Sequence, residues 1–177
     1  VFVGLILAVS VAQAATVLRF DVTELTKRAV VILHGKVVSK KARKSKNGDI
    51  FTDIQIEVKD AVAAAQGTAY AFSIYGGVLG DKGSTIAGAA TYDVGEEILV
   101  FLDRANKLGL RTAIGLAQGK FTIRTVDGKK MAFRDLEDLR YYNPKTGKVI
   151  HAKPEQARPF DELLADVKRR LAKRKKR

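Results

Sequence analysis

The sequence predicts a mainly β protein: an antiparallel β-barrel preceded by a short N-terminal helical turn and followed by a C-terminal amphipathic basic helix. Short runs rich in β-branched and aromatic residues recur between glycine-containing turns. Apolar and polar residues alternate through 50–59, the period of two that marks a half-buried antiparallel strand. Helical spacing of useful length occurs only near the C-terminal end, at Phe160, Leu163, Leu164, Val167 and Leu171. Many short strands joined by tight turns, with no long helix among them, argue for a closed or nearly closed barrel.

The first residues read as an address. The apolar run 1–14 ends in Ala12-Gln-Ala14, a small-residue pattern that predicts a signal peptide cleaved after Ala14. With no initiator Met and no basic leader ahead of Val1, the first residues of the natural chain are expected upstream. The run is too short to span a bilayer, which takes about 20 apolar residues. Residues 15–157 are then expected to form the barrel with its final hairpin, and 158–177 the basic helix and tail.

Within the barrel, Asp21-Val-Thr-Glu24 has capping-box spacing and opens a helical turn reaching Thr26 or Arg28. Residues 29–38 read as a strand, and the basic stretch up to Asn47-Gly48 reads as a long hairpin connection. In 50–59, Thr52, Ile54, Ile56 and Val58 face one way, and Phe51, Asp53, Gln55, Glu57 and Lys59 the other. A small-residue connection over 61–67 leads to a strand at 68–75, and the glycine-rich run 76–88 is irregular. Further strands are expected at 96–103, 110–116 and 121–126, with Asp127-Gly128 turning the chain into 129–133. Pro144 and Gly147 mark a last hairpin turn, and 154–159 is a polar linker. Because the strands hold most β-branched residues, the core is expected there, and the chain beyond Ala165 is expected to be dispensable to it.

The order Val31-Ile-Leu-His-Gly35-Lys-Val-Val, Thr52-Asp-Ile-Gln-Ile-Glu-Val58, Gly67 and Tyr92-Asp-Val-Gly95-Glu-Glu-Ile-Leu-Val-Phe-Leu102 resembles the netrin-like domain of tissue inhibitors of metalloproteinases, over roughly 29–126. It is similar, too, to uncharacterised secreted bacterial proteins with the same pattern. The resemblance implies an OB-like barrel. Those inhibitors approach a catalytic zinc with an N-terminal cysteine, and this chain has no cysteine, so that mechanism does not carry over.

Composition narrows the chemistry. The absence of cysteine removes disulfides, thiolates and a lipoprotein acyl site. The two histidines, His34 and His151, lack zinc-ligand spacing, so neither a metal nor a cofactor is expected. Both glycine-rich stretches miss the phosphate-loop spacing, one having Lys82-Gly83-Ser84 in place of Gly-Lys-Ser. The loop bearing Gly80, Lys82 and Ser84 stays a candidate ligand contact, because rim loops carry function on barrels. Asp93 and Glu96 are the one carboxylate pair considered for glycosidic chemistry.

Lys and Arg total 32 against 19 Asp and Glu, a net charge of +13, which favours anionic partners. Two foci hold much of it. Lys40, Lys41, Arg43, Lys44 and Lys46 form one, and Lys173, Arg174, Lys175, Lys176 and Arg177 end the chain as the other. The reading is an exported, non-enzymatic binding module of the bacterial envelope, periplasmic, cell-surface or extracellular. Its expected partner is a protein, an anionic envelope polymer or a lipid surface; nucleic acid is disfavoured for want of any recognition motif. The alternatives are a secreted inhibitor or regulator of an extracellular enzyme, and a hydrolase with a carboxylate site.

Overall fold

In the computed structural model, which describes residues 14–65 and 67–174, the chain begins with β1 (Ala15–Val17) and α1 (Val22–Arg28). The expected signal peptide, 1–14, therefore lies outside the described residues except for Ala14. The Asp21 carboxylate accepts from the Glu24 amide at 2.8 Å, so the capping signal starts α1 as expected. Two long strands follow, β2 (Val31–Lys44) and β3 (Ile50–Ala63), then β4 (Ala69–Tyr75). The glycine-rich run folds into a small hairpin, β5 (Gly77–Leu79) and β6 (Lys82–Ser84). After β7 (Glu97–Leu102) come β8 (Lys120–Val126) and β9 (Lys129–Phe133). The chain closes with β10 (Leu139–Tyr142), β11 (Val149–His151), β12 (Arg158–Pro159) and α2 (Phe160–Arg174).

Seven strands form one antiparallel sheet in the order β12-β9-β8-β7-β2-β3-β4, beside a three-stranded sheet β1-β10-β11 and the β5-β6 hairpin. The protein is mainly β, with two helices, and no sheet closes into a barrel among the described residues. Segment 110–116, expected as a strand, is where closure fails: it supplies only single bridges, Leu110 to Ser73 and Ala113 to Leu102. It then breaks into a turn at Leu116–Gly119, where Gly115 and Leu116 both take positive φ. The pairing is not wholly antiparallel either, because β1 lies parallel to β10.

The basic stretch is strand, not connection. Its residues through Lys44 pair with β3 down to Ile50, so the loop shrinks to 45–49. Beyond Lys36, where β7 stops pairing with it, β2 is the open edge of the sheet, and its exposed lysines carry their charge into water on long apolar stems. Register shifts at Ile32/Leu33, His34/Gly35 and Val37/Ser39 bend it.

Each face of the large sheet is covered. On one, Leu25 of α1 and Phe160, Leu163, Val167 and Leu171 of α2 pack with Ile32, Leu99 and Phe101. On the other, Leu33, Ile54, Ile56, Phe72, Ile98 and Val100 surround Tyr92. Val167 and Leu171, which lie beyond Ala165, are therefore core residues. The strands alone leave one apolar face bare, and among the described residues α2, with α1 beside it, covers it.

Candidate functional site

The fold gathers two of the predicted groups at one end of the β2–β3 ribbon. Gly77 permits it: a Cβ there would stand 2.2 Å from Thr52 Oγ1, with Ala42 and Ile50 beside it. A residue without a side chain lets the β5–β6 hairpin lie directly on the ribbon, and the Thr52 hydroxyl fixes it by donating to the Gly76 carbonyl at 2.6 Å. Gly80, at φ +64, makes the hairpin turn; Lys82 and Ser84 follow on β6.

At this end Lys40 Nζ lies 3.1 Å from Asp93 and Arg43 Nε 2.8 Å from Asp53, with the Arg43 guanidinium 5.3 Å from the centre of the Phe51 ring. Burial works to raise the Asp53 carboxyl, but hydrogen bonds from Ser73 and Arg43 outweigh it and hold it below its ordinary value. Lys41, Lys44, Lys46 and Lys82 are exposed and pair with no carboxylate among the described residues.

The second basic focus sits elsewhere. α2 ends near Ala29, where β2 begins, so the two foci lie toward opposite ends of β2. The α2 cations ahead of the tail, and Arg174 within it, are used inside the fold. Lys168 reaches Asp60 at 3.1 Å, Arg169 and Arg170 hold Asp166, and Arg174 Nη1 donates to the Thr26 and Ala29 carbonyls that end α1. Lys173 is exposed; Lys175, Lys176 and Arg177 lie outside the described residues.

A charged cluster that the sequence reading passed over lies under α2. His34 is buried on β2, its Nδ1 2.9 Å from Asp60 Oδ2 and its Nε2 2.8 Å from Glu97 Oε1. Each ring nitrogen thus faces a carboxylate oxygen of its own. Lys59 and Lys130 also reach Glu97, at 2.8 and 2.6 Å, and the Phe160 ring packs 4.5 Å from the imidazole. Burial opposes ionisation of Glu97, yet Lys130, Lys59 and His34 hold it down to about 2; His34 and then Lys168 lower Asp60 against its burial. The carboxylates occupy opposite sides of the ring and cannot converge on an ion. Among the described residues no His, Asp and Glu group could hold a metal. A lone histidine inside the apolar run 31–38 was the available signal; its partners on β3 and β7 carried none.

Of the two carboxylates weighed for glycosidic chemistry, Asp93 holds Lys40, and its amide lies 3.3 Å from Glu96 Oε2. Asp93 is exposed, whereas Glu96 is engaged by Lys120 Nζ and the Thr122 hydroxyl, both at 2.6 Å. Finally, β1 and the β10–β11 hairpin border a groove of about 710 Å³ lined by Leu18, Phe20, Tyr141, Tyr142, Pro144 and Ile150, with Arg19 and Lys148 at its rim. No family model, curated protein or solved structure matches the chain.

Proposed function

We propose that this chain is an exported, non-enzymatic binding module of the bacterial envelope that engages an anionic polymer or protein through the far end of the β2–β3 ribbon. The observation that carries the reading is that Lys41, Lys44, Lys46 and Lys82, none paired with a carboxylate among the described residues, belong to the end of β2, its turn and the β5–β6 hairpin that lies on it, Lys44 on the face that Ala42 turns to Gly77 and Lys41 on the other. Unpaired cations keep their charge for a partner, whereas Lys168, Arg169 and Arg170 of α2 are engaged by Asp60 and Asp166. The non-enzymatic part rests on the same accounting: both nitrogens of His34 and the carboxylate of Glu96 are taken up within the fold. Export rests on the apolar run that ends at Ala14. The finer fold reading is an OB-like, netrin-like half-barrel, supported by the bent ribbon and by the bridges of Leu110 and Ala113 that span from β4 to β7.

The test is binding to polyphosphate and to phosphatidylglycerol vesicles across a salt series. Affinity should fall steeply as the Debye length shortens to ~8 Å at physiological ionic strength. Replacing Lys41, Lys44, Lys46 and Lys82 by Gln should weaken binding by up to about a thousandfold, since near an anionic surface each cation contributes about 1 kcal/mol. The same replacement at Lys173, Lys175, Lys176 and Arg177 should do less. Salt-insensitive binding, or a larger loss from the tail variant, overturns the assignment.

A further inference from the structure

The small sheet ends in a strand with an open side. In the β10–β11 pair, the Asn143 amide donates to the Lys148 carbonyl and the Ala152 amide to the Leu139 carbonyl, both at 2.9 Å. Antiparallel pairing alternates, so Lys148, Ile150 and Ala152 point their backbone groups at β10, and Val149 and His151 point theirs away. No strand among the described residues takes up that outer side. It presents two amides and two carbonyls in extended geometry.

What lies beside this edge defines what can add to it. Val149 and Ile150 are 49% and 58% exposed, and Tyr142 is 41% exposed. Ile150 stands opposite Tyr141 and lines the groove with it. Ile150 and Tyr141 share one face of the pair and Val149 and Tyr142 the other, so a strand laid along β11 would set one alternate row of side chains beside Ile150 at the groove and the other row beside Val149. Charge then selects. From Leu139 to Pro154 the chain carries Arg140, Lys145, Lys148, His151 and Lys153, and none of those Lys or Arg side chains pairs with a carboxylate among the described residues. Of the nearby carboxylates, Glu24, which lines the groove, is held by Arg28, and Glu155 by Arg19 and Arg134, while Glu137 and Asp138 are exposed ahead of β10, so the unpaired charge along β11 itself is positive. Lysines flanking an edge discourage pairing that leaves their charge unanswered and repel basic strands, and a second copy of this chain would set the same lysines against one another. An acidic strand is attracted.

We propose that the open edge of β11 and the adjoining groove dock an extended peptide segment of another protein by strand addition, the segment alternating apolar with acidic residues. This surface is separate from the lysine cluster on the ribbon.

The probe is a fluorescein-labelled synthetic octapeptide alternating valine and glutamate, titrated with the full chain by fluorescence anisotropy. Saturable binding with a Kd below about 1 mM is expected. The same peptide methylated on its backbone amides should bind at least about tenfold more weakly, and a valine–lysine octapeptide likewise. Val149→Pro removes an outward amide without touching a hydrogen bond to β10 and should reduce affinity by about the same factor. Should that variant fail to fold, the methylated peptide on the unmodified protein decides. Equal binding of the methylated peptide rules out strand addition, equal binding of the lysine peptide rules out the acidic preference, and no saturation at about 1 mM overturns the site. The variant lacking Lys41, Lys44, Lys46 and Lys82 should bind the glutamate peptide unchanged; loss there would mean capture by the ribbon, and would overturn this site while leaving the ribbon reading intact.

Discussion

Replacing Glu97 by Gln tests the charged cluster under α2. The carboxylate, 19% exposed, accepts from His34, Lys59 and Lys130 at once. Its value falls from 4.5 to about 2 on folding. At 1.36 kcal/mol per pH unit that difference contributes about 3 kcal/mol to stability. Because folding depresses the value, the contribution is fully present above about pH 4.5 and is lost as the pH falls through 2. Integrating the linkage leaves roughly half of it at pH 3. E97Q should therefore cost about 3 kcal/mol at pH 7 and about 1.5 kcal/mol at pH 3 relative to the unmodified protein under the same conditions. Urea denaturation followed by far-UV circular dichroism at both values measures the two gaps. Equal gaps would refute the linkage, and a pH 7 gap under about 1 kcal/mol would show that the cost of desolvating Glu97 cancels the attraction of its partners.

Leu163→Ala removes a fully buried contact between α2 and the sheet and should cost about 2–5 kcal/mol in thermal or urea unfolding; truncation after Ala165, which also deletes Val167 and Leu171, should abolish cooperative folding. A stable β-rich truncation product would show that the sheet does not need α2. Gly35→Ala would put a Cβ 2.3 Å from the Glu57 carbonyl oxygen and 2.6 Å from Ile56 Cγ2, so no folded protein should be recovered, whereas Gly80→Ala meets only its positive φ and should cost about 1 kcal/mol. Comparable melts for the two would contradict the close approach of β2 and β3. Tyr92→Phe deletes a buried hydroxyl that has no hydrogen-bond partner, so stability should stay level or rise by about 1 kcal/mol; a loss above about 1 kcal/mol would reveal a partner for it.

Local pattern alone set several parts of this molecule. The cap at Asp21, the alternation through β3, the Asp127-Gly128 turn and the apolar stripe of α2 each depend on neighbours within a few residues, and each formed where the sequence placed it. The stripe identified the side of α2 that packs but not the surface it meets, which is why a helix read as peripheral is a wall of the core. Tertiary pairing decided the rest. Lys40 to Lys44 look like loop by composition and became strand because β3 offered a ladder opposite them. The expected strand at 110–116 found only two bridges and left the sheet unclosed. The companions of His34 come from positions 26 and 63 residues away, and β10 brought two distant segments together, β1 on one side and β11 on the other. Sequence carries the period and the caps because those act over one turn or one pleat; which edges pair, and which cations stay free, is settled by groups that meet only once the chain has folded.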